Sequence, residues 1–345
     1  MILEESMAKK VTLADISQKV GVSTVTVSKA LADQKGVSEK MRARIKKLAE
    51  EMGYVRSNKI KKTDVHKSYN IGLLIEESYM DKYDSFYWQM YQQVATKAMA
   101  WGCFTMVEVV GRRSEAAYEL PKIIKERKVD GVIVLGKMPD AFLTVLKKDS
   151  PVPIVYMDFT DDDQDVDVVV SDSFYGAYQL TNYLFGMGHT RIAYVGTILA
   201  TSSIMDRYLG YVKSMLEHGM QLREDWQIDD RDIESGYIDE ENLLKIPQDM
   251  PTAFVCNCDL TAGRLINKLR ENGYRVPEDV SVVGYDNYIY PGICNVEITT
   301  YEVEQGEMAS QAVNVMLDKL DHHATAPMIH IVEGHLVIKE SVRRI

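Results

Sequence analysis

The stretch Val11-Thr-Leu-Ala-Asp-Ile-Ser-Gln-Lys-Val-Gly-Val-Ser-Thr-Val-Thr-Val-Ser-Lys-Ala-Leu31 reads as two short helices around a tight turn. Thr12 and Asp15 form an N-cap pair, and Leu13, Ile16 and Val20 recur at helical spacing. Gly21 stops that helix. Ser23 then caps a second one, Thr24 to Leu31, whose apolar positions are Val27, Ala30 and Leu31. A third helix is expected from about Ser38 to Met52, with Met41, Ile45, Leu48, Ala49 and Met52 inward and Lys40, Arg42, Arg44, Lys46 and Lys47 outward. Gly53 ends it. Three short helices with a glycine turn between the first two make a helix-turn-helix unit, expected over residues 8–55.

Working outward, residues 56–69 read as a polar, basic linker carrying Lys59, Lys61, Lys62 and Lys67. From Tyr69 the pattern changes. Short β-rich runs at Ile71–Ile75, Phe104–Val109, Gly131–Leu135 and Ile154–Met157 alternate with helical stretches near 86–101, 115–128 and 140–148. A second series has runs at Val168–Val170, Ile192–Val195, Ala253–Cys256 and Val280–Val283, with helices near 173–187, 204–218 and 259–272. A last helix near 304–320 and strands near 329–338 complete the pattern. Strand–helix alternation predicts parallel sheets with helices on both faces. The expected fold is therefore α/β, a helix-turn-helix head followed by a core at 70–345 of two parallel doubly wound sheets. Lobe one is placed at about 70–160 and 292–320, and lobe two at about 163–289 and 322–342. Ligands of this class bind beyond the carboxyl ends of the strands, so a cleft between lobes is the expected pocket.

Composition narrows the function. The chain has 345 residues with a net charge of −11, yet residues 1–69 hold 15 Lys+Arg against 8 Asp+Glu. A basic head on an acidic body points to a nucleic-acid binder joined to something else. No apolar run approaches the ~18–20 residues that span a bilayer. Four scattered cysteines make no disulfide framework, so a reducing cytoplasm is expected. Met7, followed by Ala8-Lys9-Lys10-Val11, reads as an alternative start, with residues 1–6 as an upstream extension or tail.

Catalytic patterns fail one by one. Gly131-Val-Ile-Val-Leu-Gly136-Lys137-Met138 matches GxxxxGK, but Met138 offers no hydroxyl for magnesium and a β-branched strand fills the gap between the glycines. No GxGxxG follows a strand, and neither GxSxG nor HExxH occurs. Cys256-Asn257-Cys258 lacks zinc spacing, and His189, His322, His323, His330 and His335 are scattered. An enzyme, a cofactor and a metal are not expected. The head is more informative: the first turn of the second helix presents Thr24, Val25 and Thr26, with Lys29 one turn later. In helix-turn-helix readers that turn meets base edges while hydroxyls and lysines meet phosphates.

Residues 11–31, Val37-Ser38, Arg42, Ile45 and Met52-Gly53-Tyr54 together resemble the DNA-binding head of the LacI/GalR family of bacterial transcriptional repressors. The resemblance continues through Asn70-Ile71-Gly72-Leu73-Leu74, Asp130-Gly131-Val132-Ile133, Gly188-His189-Thr190-Arg191-Ile192, Asp206-Arg207-Tyr208-Leu209-Gly210-Tyr211, Val276-Pro277-Glu278-Asp279-Val280, Val283-Gly284-Tyr285-Asp286-Asn287 and Leu336-Val337-Ile338-Lys339-Glu340-Ser341. It implies a periplasmic-binding-protein-like core, a homodimer reading a pseudo-palindromic double-stranded operator, and a small effector between the lobes, a sugar or sugar derivative. The chain ends soon after the last strand without a heptad helix, which predicts a dimer over a tetramer. By resemblance, Thr24, Val25 and Lys29 read bases, and Thr12, Ser23, Thr26 and Ser28 anchor phosphates. Ser85, Phe86, Tyr87 and Asp158 are the implied lobe-one ligand residues, with Arg207 and Asp259 from lobe two. Purine-responsive members carry an extra arginine six residues before the second-lobe one. Here Thr201 stands there, with Ser203 nearby, which favours a small hydroxylated ligand.

The linker departs from the family, whose Ala-Arg-x-Leu segment wedges leucine into the minor groove. This chain has Lys61 at the arginine position and Thr63 at the leucine. Threonine is a poor wedge for unstacking a base step, so operator grip should rest on Lys59, Lys61 and Lys62, with steep salt dependence, and on Ile60 as a substitute wedge. Replacing Thr63 with Leu should tighten operator binding and increase DNA bending; gel-shift affinity and bend angle check this, and no change in either refutes it. The alternative reading is a ligand sensor whose DNA binding is impaired by this linker.

Overall fold

The structure, a computed structural model, describes residues 13–31, 37–52, 68–80, 85–111, 118–161, 165–233, 236–239, 241–288, 292–323 and 326–345. The Met7 start, Thr12, and the linker residues Lys59, Ile60, Lys61 and Thr63 lie outside them. The chain divides into two compact units, residues 1–65 and 66–345.

In the first unit, α1 (Leu13–Val20), α2 (Thr24–Leu31) and α3 (Glu39–Glu51) fall within a residue of their expected bounds. Local chemistry explains the ends. Gly21 adopts φ +78°, and the Gly21 and Val22 amides return to the Ser17 carbonyl at 2.9 and 3.2 Å, closing α1. Ser23 Oγ accepts from the Thr26 amide at 3.1 Å, and Ser38 Oγ from the Met41 amide at 3.4 Å. The buried faces meet in a small core of Ile16, Val20, Val27, Ala30, Ile45 and Ala49.

The second unit holds two parallel sheets. The first contains β1 (Asn70–Glu76), β2 (Phe104–Val110), β3 (Gly131–Leu135), β4 (Ile154–Met157), β5 (Asp167–Ser171) and β11 (Ile329–Val332), in the order β11-β5-β4-β3-β1-β2. The second contains β6 (Ile192–Val195), β7 (Gln227–Ile228), β8 (Ala253–Cys256) and β9 (Ser281–Val283), in the order β7-β6-β8-β9. Two-residue alternation divides each strand between faces. On the first sheet Leu73, Ile133 and Val155 pack under α4 (Phe86–Ala100) and α10 (Gln305–Leu320), while Leu74, Val132 and Tyr156 pack under α5 (Lys122–Lys125) and α6 (Asp140–Asp149). On the second, Tyr194 and Val255 face α7 (Ser173–Gly186) and α8 (Ser202–Glu217), while Ala193 and Phe254 face α9 (Asp259–Glu271). Helices α7 and α8 approach so closely at Gly210 that a Cβ there would collide with the Phe174 carbonyl oxygen. Among the described residues, no helix is long and apolar enough to cross a membrane.

The structure corrects the lobe assignment in two places. The Val168–Val170 run is expected in the second series, and residues 322–342 in lobe two, where Ser341 does bond Val282 of β9. Yet β5 and β11 both join the first sheet, pairing β4 with β5 and β5 with β11. A short apolar strand does not encode which sheet it enters; its partners decide. Here Asp167 at the start of β5 accepts from the Met328 amide at 2.9 Å and pairs with Lys319 and His330, stitching β5 to α10 and β11. The strands near 329–338 are likewise two: β11, and β12 (His335–Val337), which runs antiparallel to β10 (Thr300–Glu302). The helix expected over 115–128 is only the single turn α5 among described residues. Pro121 disfavours helix before it, and the Glu108 carboxylate takes the Lys122 and Ile123 amides at 2.9 Å each.

Candidate functional site

Helix α2 turns one face outward. Val27 and Ala30 are buried, while Ser23, Thr24, Ser28 and Lys29 are exposed and Thr26 is half-buried. Thr24 and Ser28 stand one turn apart on the same face. Ser23 Oγ lies 2.9 Å from Thr26 Oγ1, so both hydroxyls organise the cap at the helix start. The Val25 side chain lies outside the description. The exposed face thus offers hydroxyls and a cation around a helix N-terminus, groups that donate to base edges and phosphates.

In the core, the carboxyl ends of both sheets bring polar groups together. Asp158 follows β4 and Asp286 follows β9; both hold positive φ, 71° and 106°, and both are buried. Tyr87, in the first turn of α4, donates its hydroxyl to Asp158 Oδ2 at 2.8 Å, and its ring lies tilted against Tyr79 with centroids 4.2 Å apart. From lobe two, buried Arg207 on α8 donates Nη1 to the Asn257 carbonyl at 2.6 Å and Nε to Ser173 Oγ at 3.3 Å. Its Nη2 pairs with Asp286 Oδ1 at 3.4 Å, and its plane lies 3.7 Å from the Tyr285 ring centroid. Burial raises Asp158 above the ordinary carboxylate range, against the pull of Arg207 and the Tyr87 hydrogen bond. The arrangement provides carboxyl groups, a planar guanidinium fork and aromatic rings, the set that binds vicinal hydroxyls and ring C–H faces.

The expected residues divide accordingly. Tyr87, Asp158 and Arg207 converge. Phe86 is buried and meets Tyr288 edge-on at 6.1 Å, linking α4 to the segment after β9. Ser85 caps α4 through the Trp88 amide at 3.1 Å. Thr201 caps α8 through the Ile204 amide at 3.2 Å and bonds Ser203 Oγ at 3.0 Å. Asp259 accepts from the Tyr288 amide at 3.0 Å and presses on Gly284, holding the 284–288 segment on its own lobe. These residues serve the scaffold in this structure. Asp286, Asn257, Ser173 and Arg231 were missed. Asp286 has a usable signal, since it follows the Val280–Val283 run in Gly284-Tyr285-Asp286-Asn287; Arg231 follows a two-residue strand too short for periodicity to detect.

Asp286 is pushed up to about 7 by burial, against Arg207 and Arg231, while Asp158 raises it. A carboxyl raised on folding binds its proton more tightly in the folded state. Its stabilisation is complete below the unfolded value near 4 and is lost as pH rises through 7. Asp158 acts in the same sense, whereas buried His189, lowered from its ordinary value, acts oppositely below about 6.5. Asp286→Asn should therefore flatten the loss of core stability between about pH 5 and pH 8. Urea midpoints at both pH values check this, and parallel declines in wild type and variant refute it.

Comparison with known proteins bears on both surfaces. Residues 12–57 match the model of bacterial regulatory proteins of the lacI family, and residues 181–342 that of a periplasmic binding protein-like domain. The HTH-type transcriptional repressor PurR of Erwinia tasmaniensis is 29% identical over 312 residues, covering 90% of each chain. That of Vibrio campbellii is 24% identical over 336 residues, covering 97% of this chain and 99% of the other. Among solved structures, a transcriptional regulator CelR–cellobiose complex matches with a TM-score of 0.68 at 24% identity, over 96% of this chain and 100% of the other. The lac repressor dimer bound to operator and the anti-inducer ONPF matches at 0.63 and 20% identity, over 97% and 100%. At those identities the two structures speak to the fold.

Proposed function

Because this chain belongs to the LacI family of bacterial regulatory proteins, we propose that it is a cytoplasmic repressor whose α2 reads a pseudo-palindromic operator under control of a small hydroxylated effector, a sugar or sugar derivative, in the cleft. The observation that carries this reading is the convergence of Tyr87 and Asp158 from lobe one with Arg207 and Asp286 from lobe two. A molecule touching both lobes binds one lobe arrangement better than another, and that difference is all that can shift DNA affinity.

Two heads on one operator need two chains. Among the described residues, β2 lies at the sheet edge beside β1 and exposes Phe104, Met106, Val107 and Val109, next to Met99 and Trp101 from the end of α4. An uncovered apolar edge of this kind marks an association surface, and we assign the homodimer to it. Phe104→Asp should shift the sedimentation profile to monomer and weaken operator binding; an unchanged dimer refutes the assignment.

The decisive experiment is a footprint on DNA upstream of the protein's own gene, at physiological salt, with and without a pool of sugars. A protected pseudo-palindrome that a sugar weakens or strengthens supports the repressor. Sugar binding without DNA protection favours the sensor with an impaired linker.

A further inference from the structure

Arg207 has a companion. Arg231 lies three residues beyond β7, at the same carboxyl edge as Asn257 beyond β8 and Asp286 beyond β9. Its Nε reaches Asp230 Oδ1 at 3.1 Å and its Nη2 reaches Oδ2 at 2.8 Å. Nη2 also donates to Asn257 Oδ1 at 3.0 Å and meets Cys258 Sγ at 3.7 Å. Asp230 is held from its other sides by the Thr197 amide at 3.0 Å, the Thr261 hydroxyl at 2.6 Å and the Asn257 amide at 2.7 Å. The pair is a prebuilt support, with the Arg231 side chain 16% exposed and that of Asp230 fully buried. Among the described residues nothing bonds Arg231 Nη1, so one edge of its fork is left over.

Asn257 holds both guanidiniums, Arg207 on its carbonyl and Arg231 on its side-chain oxygen. Asp286 feels both charges. Asp230 neutralises Arg231: burial alone would raise this carboxyl, but the adjacent Arg231 and its hydrogen bonds hold it at about 2. The partners of Arg207 differ, because burial favours the proton on Asp158 and Asp286. Burial thus works against ionisation of the two carboxyls that face Arg207, whereas Arg231 is charge-paired by Asp230 and keeps one edge of its fork for another acceptor.

We propose that the effector carries an oxyanion, a carboxylate or a phosphate on a polyol or sugar frame, and that Arg231 together with Arg207 selects it. This rests on the reading of the cleft as the effector site. Planar forks suit such a group, since each offers two parallel N–H donors to two oxygens. Arg231 is then the specificity-determining residue, and the hydroxyl-binding groups set affinity for the rest of the frame.

Titration calorimetry of the full chain with glucuronate, galacturonate, gluconate and glucose 6-phosphate, beside glucose and galactose, tests this. At least one acidic compound should bind roughly tenfold or more tightly than its neutral parent, and the carboxylate and phosphate arms show which oxyanion is meant. Arg231→Gln should erase most of that preference while the neutral parent still binds; Arg231→Lys, which keeps the charge, should retain part of it. Neutral compounds binding as tightly as acidic ones overturn the proposal, as does Arg231→Gln with its preference intact. The wild-type comparison needs no variant, so a poorly folding variant leaves the test standing. Failure of the cleft reading looks different: Arg207→Ala would then leave the binding of every compound unchanged.

Discussion

Exchanging Arg207 for alanine is expected to weaken effector binding by at least ~100-fold and to abolish the effector's influence on the operator footprint. The side chain makes four attachments at once: the Asn257 carbonyl, Ser173 Oγ, Asp286 and the Tyr285 ring. Removing one partner of a buried pair costs about 3–5 kcal/mol, because the other charge is left without compensation. Here Asp286 would remain buried near Asp158 without its cation. The destabilisation should be smaller in acid, where Asp286 is already protonated, and a urea titration at two pH values resolves that dependence. Arg207→Lys should restore little, since one ammonium cannot reach Asn257, Ser173 and Asp286 in the geometry of a planar fork. A variant that still answers to effector would sink the assignment of Arg207.

Val27→Asp is expected to remove specific operator binding while the core still binds effector. Val27 is fully buried on α2, in a small core that among the described residues centres on Ile16, Val20, Ala30, Ile45 and Ala49. A unit of that size keeps little stability in reserve, and an unpaired buried carboxylate costs several kcal/mol. The helix that presents Thr24, Ser28 and Lys29 would then lose its support. Footprinting should show protection falling by about three orders of magnitude, to the nonspecific level, and calorimetry should show the wild-type effector affinity. Full protection would mean that the outward face of α2 does not read the operator. Thr24→Ala, which leaves the buried face untouched, separates reading from folding: it should relax sequence preference with the head's helical signal unchanged.

The fold was legible where local chemistry repeats. The glycine at 21, the caps at Ser23 and Ser38 and the spacing of Ile16, Val20, Val27 and Ala30 place the head helices to within a residue. Alternating β-rich and helical runs placed most core elements. Candidate site residues take different places in the structure. Tyr87, Asp158 and Arg207 meet, whereas Ser85, Thr201 and Ser203 make the hydrogen bonds that begin helices. A hydroxyl at a helix start looks the same in a sequence whether it caps or binds.

Caps, periods and motifs are local or linear properties, so the class of each element, the order of head and core and the family resemblance can be read along the chain. That β5 and β11 complete the first sheet is a matter of long-range pairing, since short strands choose partners through contacts such as those of Asp167 with Met328 and Lys319. The tertiary structure alone placed Asp286, Asn257 and Arg231 beside Arg207. These residues are separated by up to 79 positions along the chain, and the parallel strands of one sheet carry them to the same edge, where side chains remote in sequence share one electrostatic environment.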